Sequence, residues 1–148
     1  MRAAVQRVST ASVSVAGESI ARIDRGLLVY VGVAPDDGEA DVQYLADKIR
    51  HLRIFPDAAD KMNLDVTQVG GSVLVISAFS LLADARQGRR PAFDAAAPPD
   101  HAKRLYERLC EVLASSMPVQ TGRFAAMMQV SSTNDGPIHI LLDSRRLF

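Results

Sequence analysis

Residues 72–79, Ser-Val-Leu-Val-Ile-Ser-Ala-Phe, follow Gly70-Gly71 as an unbroken run with no polar face to turn to water. A strand of this kind is predicted to lie mid-sheet and to be covered on both sides, so the remaining sequence must supply neighbouring strands and a covering layer. Strand-like segments are predicted over 3–8, 12–17 and 27–33, with Gly17 and Gly26 as turn markers, and over 125–132 and 137–143. Two helices are available to cover the sheet. In the first, Val42, Leu45, Ala46, Ile49 and Leu52 share a face, and Asp36 three residues before Glu39 resembles a capping box. The second follows Pro98-Pro99, carries Ala102, Leu105, Leu109, Val112 and Leu113 on one face, and stops before Pro118. The order of strands, helix, strand, helix, strands predicts one α/β domain over 1–148: a mixed, curled, barrel-like sheet with two main helices packed on it.

At 148 residues a single domain can bury a real core. The formal net charge is zero, which excludes bulk electrostatic attraction to nucleic acid but leaves local basic patches open. Cys110 is the single cysteine and cannot form an internal disulfide; its place on the second helix fits a small buried hydrophobe, and a reducing, cytoplasmic setting is expected. Arg2 and Arg7 interrupt the N-terminal segment, so neither a signal peptide nor a membrane span is expected.

Four stretches could carry chemistry. Histidines 51, 101 and 139 are scattered away from metal-ligand spacing, so no metal site is expected. Gly70-Gly71 lacks the Lys-Ser/Thr of a phosphate-binding loop and reads as a hairpin turn. Ser77 and Ser80 sit where the buried strand ends, a common place for a site, but neither lies in a nucleophile elbow. The segment 81–100 has no periodicity and reads as a long ordered loop, a length that is usually functional. Its Arg86, Arg89 and Arg90 are either a solvated surface run or a phosphate-contacting patch. Finally, Asn134-Asp135-Gly136-Pro137 is strong turn punctuation ahead of an apolar strand, and reads as a hairpin or loop entry. A turn so constrained can also aim backbone carbonyls at a ligand.

Taken in order, Gln6-Arg7-Val8, the stretches beginning at Gly26, Leu45, Lys61 and Gly88, the Ala-Ala-Pro-Pro at Ala96, the Thr-Gly-Arg-Phe at Thr121 and the Asn134–Pro137 motif resemble the D-aminoacyl-tRNA deacylases over essentially the whole chain. The resemblance implies a homodimeric enzyme that needs no cofactor and hydrolyses the ester between a D-amino acid, or glycine, and the 3′ end of tRNA. It implies a catalytic stretch Ser77, Ala78, Phe79 and Ser80, whose backbone N–H groups stabilise the oxyanion. Asn134, Gly136, Pro137, His139 and Met128 would bind substrate, and Arg86, Arg89 and Arg90 would contact tRNA. In the family the Gly-Pro bond is cis, and its carbonyls reach across the dimer to reject L-amino acids.

The chain departs from both family motifs. Ser-Gln-Phe-Thr-Leu is represented by Ser77-Ala78-Phe79-Ser80-Leu81, and Asn-x-Gly-Pro-Val-Thr by Asn134-Asp135-Gly136-Pro137-Ile138-His139. Gly-Arg-Phe-Gly-Ala-Asp-Met is likewise altered through Ala125 and Met127. Losing the Gln amide removes one hydrogen-bonding group, worth about 0.5–1.5 kcal/mol, or roughly tenfold in rate if it acts in the transition state. Ser80 in place of Thr removes about one methyl, on the order of 0.8 kcal/mol. These departures define the alternative, a non-catalytic or weakly active homologue that binds the tRNA end or an amino acid.

Overall fold

The structure is a computed structural model that describes residues 1–147. Its strands are β1 (Arg2–Val15), β2 (Glu18–Ile23), β3 (Gly26–Gly32), β4 (Phe55–Pro56), β5 (Met62–Leu64), β6 (Ser72–Ser77), β7 (Val119–Thr121) and β8 (Gln129–Asp143). Helix α1 (Glu39–His51) lies between β3 and β4, and α2 (Pro99–Ala114) between β6 and β7. The main sheet runs β2-β1-β3-β6-β7, with β8 on the other side of β1, while β4 and β5 form a separate pair. β1 is antiparallel to β2, β3 and β8, whereas β3, β6 and β7 are parallel. The sheet is therefore mixed, and it curls until β2 comes back against β6 and β7.

β6 meets the expectation of cover on both faces. Val73 and Val75 enter one core, shared with Val42, Leu45 and Ile49 of α1 and Leu105, Leu109 and Leu113 of α2. Leu74 and Ile76 enter a second core on the opposite face, with Val8, Val13, Ile23 and Leu28. Tyr106, absent from the predicted helix face, is also buried in the first core and donates its hydroxyl to the Val75 carbonyl at 2.8 Å.

Several local expectations are corrected. The predicted segment 3–8 and most of 12–17 are one strand, β1, which ends at Val15 ahead of the turn at Ala16 and Gly17; nothing between them forces a turn, and the interruption is a register shift between Val8 and Thr10. β2 and β7 were not predicted, being short and only partly buried. The helix start is displaced: Gly38 caps α1, and its N–H donates to the Asp41 carboxylate at 2.8 Å, so Asp41 takes the role expected of Glu39. Asp36 instead pairs with Arg145, and Leu52 lies just beyond the last helical turn. Gly70-Gly71 is not a hairpin turn, since the strand it leads into runs parallel to β3.

The predicted strand 125–132 begins only at Gln129, because Ala125 has φ 59° and the Ala126 N–H closes a turn on the Arg123 carbonyl. Most consequential, the Asn134–Pro137 stretch is not a hairpin turn. It lies inside β8, which continues through it along β1. Val8 pairs with Asn134 and Gln6 with His139, so four intervening residues of β8 are set against one of β1, and β8 carries an excess of three residues that bulge out of the ladder. On one side of this bulge Val130 and Val13 face the second core; on the other, Ile140 and Val5 face the first.

Candidate functional site

The first candidate patch forms where β6 leaves the sheet. The Ala78 N–H donates to the Val31 carbonyl of β3 at 2.8 Å, anchoring the chain before the 3₁₀ turn Phe79–Leu82, and the Ala78 carbonyl accepts from the Leu81 N–H at 3.2 Å. The first N–H groups of a helical turn have no partner within it. Among the described residues none meets the N–H of Phe79 or Ser80. The donors expected around residues 78–80 are thus reduced to two, since that of Ala78 is engaged by the sheet. Ser77 is half-buried and Ser80 exposed; no histidine or carboxylate among the described residues hydrogen-bonds either hydroxyl, so neither has the base a nucleophile needs.

The loop 81–100 folds back onto this turn. Asp84 and Ala92 exchange two backbone hydrogen bonds of 2.8 Å, and the ring of Phe93 meets that of Phe79 edge-on with centroids 5.0 Å apart. Phe79 is nevertheless 60% exposed. Of the three arginines, Arg86 is tied to Asp84 by a fork of 2.6 and 2.9 Å, and these bonds hold the Asp84 carboxyl well below the usual range. Arg89 and Arg90 are exposed at the loop tip with no carboxylate partner among the described residues. Met128 stands at the same end of β6: a Cβ placed on Gly122 would meet both Met128 Sδ, at 2.6 Å, and Ile76 Cδ1, at 3.0 Å.

The second patch is the β8 bulge. Gly136 has φ +135°, a region that only glycine adopts without strain, and the Gly136–Pro137 peptide bond is cis. Asn134 brackets the bulge: its Oδ1 accepts from the Ile138 N–H at 2.8 Å, and its Nδ2 reaches the Ile138 carbonyl at 3.4 Å and His139 Nε2 at 3.2 Å. Arg7, only 9% exposed, holds it from below. Its Nε donates to the Asp135 carbonyl at 3.1 Å and lies 3.0 Å from the Asp135 carboxylate, while a terminal nitrogen donates to the buried Ile54 carbonyl at 2.6 Å.

The structure therefore gathers Ser77, Ala78, Phe79, Ser80, Met128 and the arginine loop at the end of β6, and Asn134, Gly136, Pro137 and His139 on β8. No hydrogen bond among the described residues joins the two patches within one chain. Sequence reasoning passed over Arg7 and Phe93. A charged residue between apolar Val5 and Val8 on a strand was the signal for the first; nothing local marked the second. Apart from Asp84, the strongly perturbed groups lie elsewhere: burial raises the Tyr106 hydroxyl and pushes the Cys110 thiol up to about 12, both inside α2's packing. Among the described residues no cluster of three or more His, Cys, Asp or Glu could hold a metal ion.

Fold and site together define a one-domain α/β protein of the curled mixed-sheet class, whose candidate site offers backbone donors and carbonyls in place of an ionised catalytic side chain. The pattern of the D-Tyr-tRNA(Tyr) deacylases matches residues 4–143, and the chain belongs to that family. It is 58% identical over 149 residues to the D-aminoacyl-tRNA deacylase of Syntrophobacter fumaroxidans and 59% identical to that of Anaeromyxobacter dehalogenans, with all of each chain covered. Among solved structures it resembles the c-Myc DNA unwinding element binding protein, with a TM-score of 0.92, 35% identity, and coverage of 97% of this chain and 98% of that one. A probable eukaryotic D-amino acid tRNA deacylase shares the fold at a TM-score of 0.82 and 17% identity, over 95% and 97% of the two chains.

Proposed function

We propose that this chain hydrolyses the ester of D-aminoacyl-tRNA, and of glycyl-tRNA, releasing free amino acid and tRNA. The observation that carries the reading is the pair of N–H groups at Phe79 and Ser80 that, among the described residues, no acceptor engages, beside hydroxyls to which no described base is bonded. An aminoacyl ester is already labile, so two preorganised donors on the developing oxyanion supply what the reaction most needs. Water adds to the carbonyl carbon, the bond to the ribose oxygen breaks, and that oxygen takes up a proton; the neighbouring ribose hydroxyl assists the attacking water. No cofactor takes part.

The bulge supplies the selectivity. The Gly136 and Pro137 carbonyls hold the substrate's amino group in an orientation where an L side chain would strike the main chain, which is discrimination by clash. The two patches stand apart in one chain, and a homodimer in which each bulge reaches into the partner's β6 end would bring them together. In support, β8 is an edge strand with Leu141 exposed beside the bulge. Asn134 and His139 set the bulge, Met128 lines the β6 end, and Arg89 and Arg90, with Arg86 in a lesser role, meet tRNA phosphates in the cytoplasm. Among the described residues no helix is long and apolar enough to cross a membrane.

The test is release of amino acid from matched D-tyrosyl-, L-tyrosyl- and glycyl-tRNA. Release of D-tyrosine and glycine with L-tyrosyl-tRNA spared is expected; no release at high enzyme concentration sinks the reading. Ser77→Ala and Ser80→Ala should each retain activity within about tenfold, whereas a true nucleophile would cost more than about a thousandfold. The missing amide at Ala78 favours the second reading, a binding homologue without turnover. In that case the pair Ala78→Gln with His139→Thr would create activity absent from the parent.

A further inference from the structure

The bracket on the bulge can be completed by only one form of the His139 ring. Because the Ile138 N–H donates to Asn134 Oδ1 at 2.8 Å, the amide cannot turn over without setting two donors against each other. Its Nδ2 therefore faces His139 Nε2, 3.2 Å away. An amide nitrogen only donates, so the contact is a hydrogen bond only when Nε2 presents its lone pair, as it does in a neutral imidazole with its proton on Nδ1. Protonation would turn Nε2 into a second donor aimed at Nδ2, and a single amide cannot then satisfy both His139 and the Ile138 N–H. Histidine is the side chain whose ordinary change of charge falls between about pH 5 and 8.

Little else near the ring competes for this role. β8 pairs only with β1, where His139 stands opposite the neutral Gln6. The charged residues next along β1 and in the bulge are Arg7 and Asp135, which are 3.0 Å apart and paired with each other. The three-residue bulge is what makes the contact possible, since it brings Asn134 and His139 onto neighbouring positions of the ladder.

We propose that His139 is a positioning residue whose neutral imidazole completes the Asn134 bracket on the Gly136–Pro137 bulge, so that substrate selection by this chain is gated by one proton. The proposal rests on the reading of the bulge as the substrate filter. A hydroxyl or amide oxygen at 139 would accept a hydrogen bond at any pH, so His139→Thr and His139→Gln remove the gate without removing an acceptor.

The test is kcat/KM for D-tyrosyl-tRNA from pH 5.5 to 8 in the wild-type protein and the two variants. The wild type should lose about two- to tenfold along a one-proton curve relative to His139→Gln, which should be flat. Profiles that run parallel in all three proteins overturn the gate. Nitrogen-15 NMR of the protein without tRNA gives a second readout that does not depend on turnover. At pH 8 His139 should carry its proton on Nδ1, and the Asn134 side-chain amide should shift with the same midpoint as the imidazole. A proton on Nε2 at pH 8, or an Asn134 amide insensitive to the titration, overturns the bracket itself. A chain with no deacylase activity but with these NMR signatures would sink the proposed function and leave the bracket standing.

Discussion

Replacing Arg7 with Met separates the guanidinium's contribution from that of its stem. The side chain is 9% exposed, and its bond to the Ile54 carbonyl, 2.6 Å long, is fully buried. A buried hydrogen bond from a charged donor is worth about 1.5–3 kcal/mol, and its loss leaves the Ile54 oxygen without that donor. The Asp135 carboxylate is 52% exposed, so the ion pair adds only about 0–1 kcal/mol. Met keeps most of the stem's volume, which limits the packing loss. The sum is a destabilisation of about 2–4 kcal/mol, or a fall of roughly 5–15 °C in Tm for a domain of this size. Activity should suffer more than stability suggests, because the Asp135 carbonyl that Arg7 holds is next to Gly136. A displacement of the bulge by about 1 Å can cost on the order of a hundredfold in kcat/KM. The assays are thermal unfolding followed by circular dichroism, and the ratio of D- to L-tyrosyl-tRNA hydrolysis. Arg7→Lys, which keeps the charge but not the fork, should fall between the two proteins. A Met variant with Tm within about 2 °C of wild type and an unchanged D/L ratio would refute the assignment of Arg7 as the bulge's support.

Two further outcomes are expected. A Cβ on Gly26 would lie 1.8 Å from the Ser72 carbonyl oxygen, in backbone of the adjacent strand, so Gly26→Ala should be destabilised by about 3 kcal/mol or more; Gly38→Ala, with nothing within 4 Å, should lose only about 0.5–1 kcal/mol through the poorer helix cap, and urea unfolding compares them. Arg89→Ala with Arg90→Ala should weaken tRNA binding and lower its salt dependence by nearly two counterions, whereas Arg86→Ala should do much less because Asp84 already holds that guanidinium; filter binding at several salt concentrations decides.

The parts of the fold that were legible in the sequence are those where one period holds for a whole element. α1 and α2 keep their apolar stripes, and 72–79 reads as covered on both faces because it is. β1 and β8 were each split in two because their alternation changes phase midway: Val5 and Val13 sit in different cores, as do Val130 and Ile140. Turn residues within a strand cannot be told from a strand's end by local punctuation; what keeps Asn134–Pro137 in β8 is β1, more than a hundred positions away in sequence. At the site, resemblance pointed to these segments, but only the structure shows that the Ala78 N–H is engaged while those of Phe79 and Ser80 have no partner among the described residues. Asn134's several bonds and Arg7's hold on Ile54 depend likewise on distances no spacing rule carries.

The phase change at the bulge has a consequence for how the chain can vary. β8 carries three more residues than β1 between Asn134 and His139, an odd excess, and β1 shifts register nearby, so the paired strands pass together from one core to the other. Deleting or adding a single residue there would turn Ile140 and Leu142 outward along with their neighbours. The length of this segment is thus set by the packing on both its sides, whereas the exposed side chain at 139 can change without disturbing either core. The bulge is the joint between two cores.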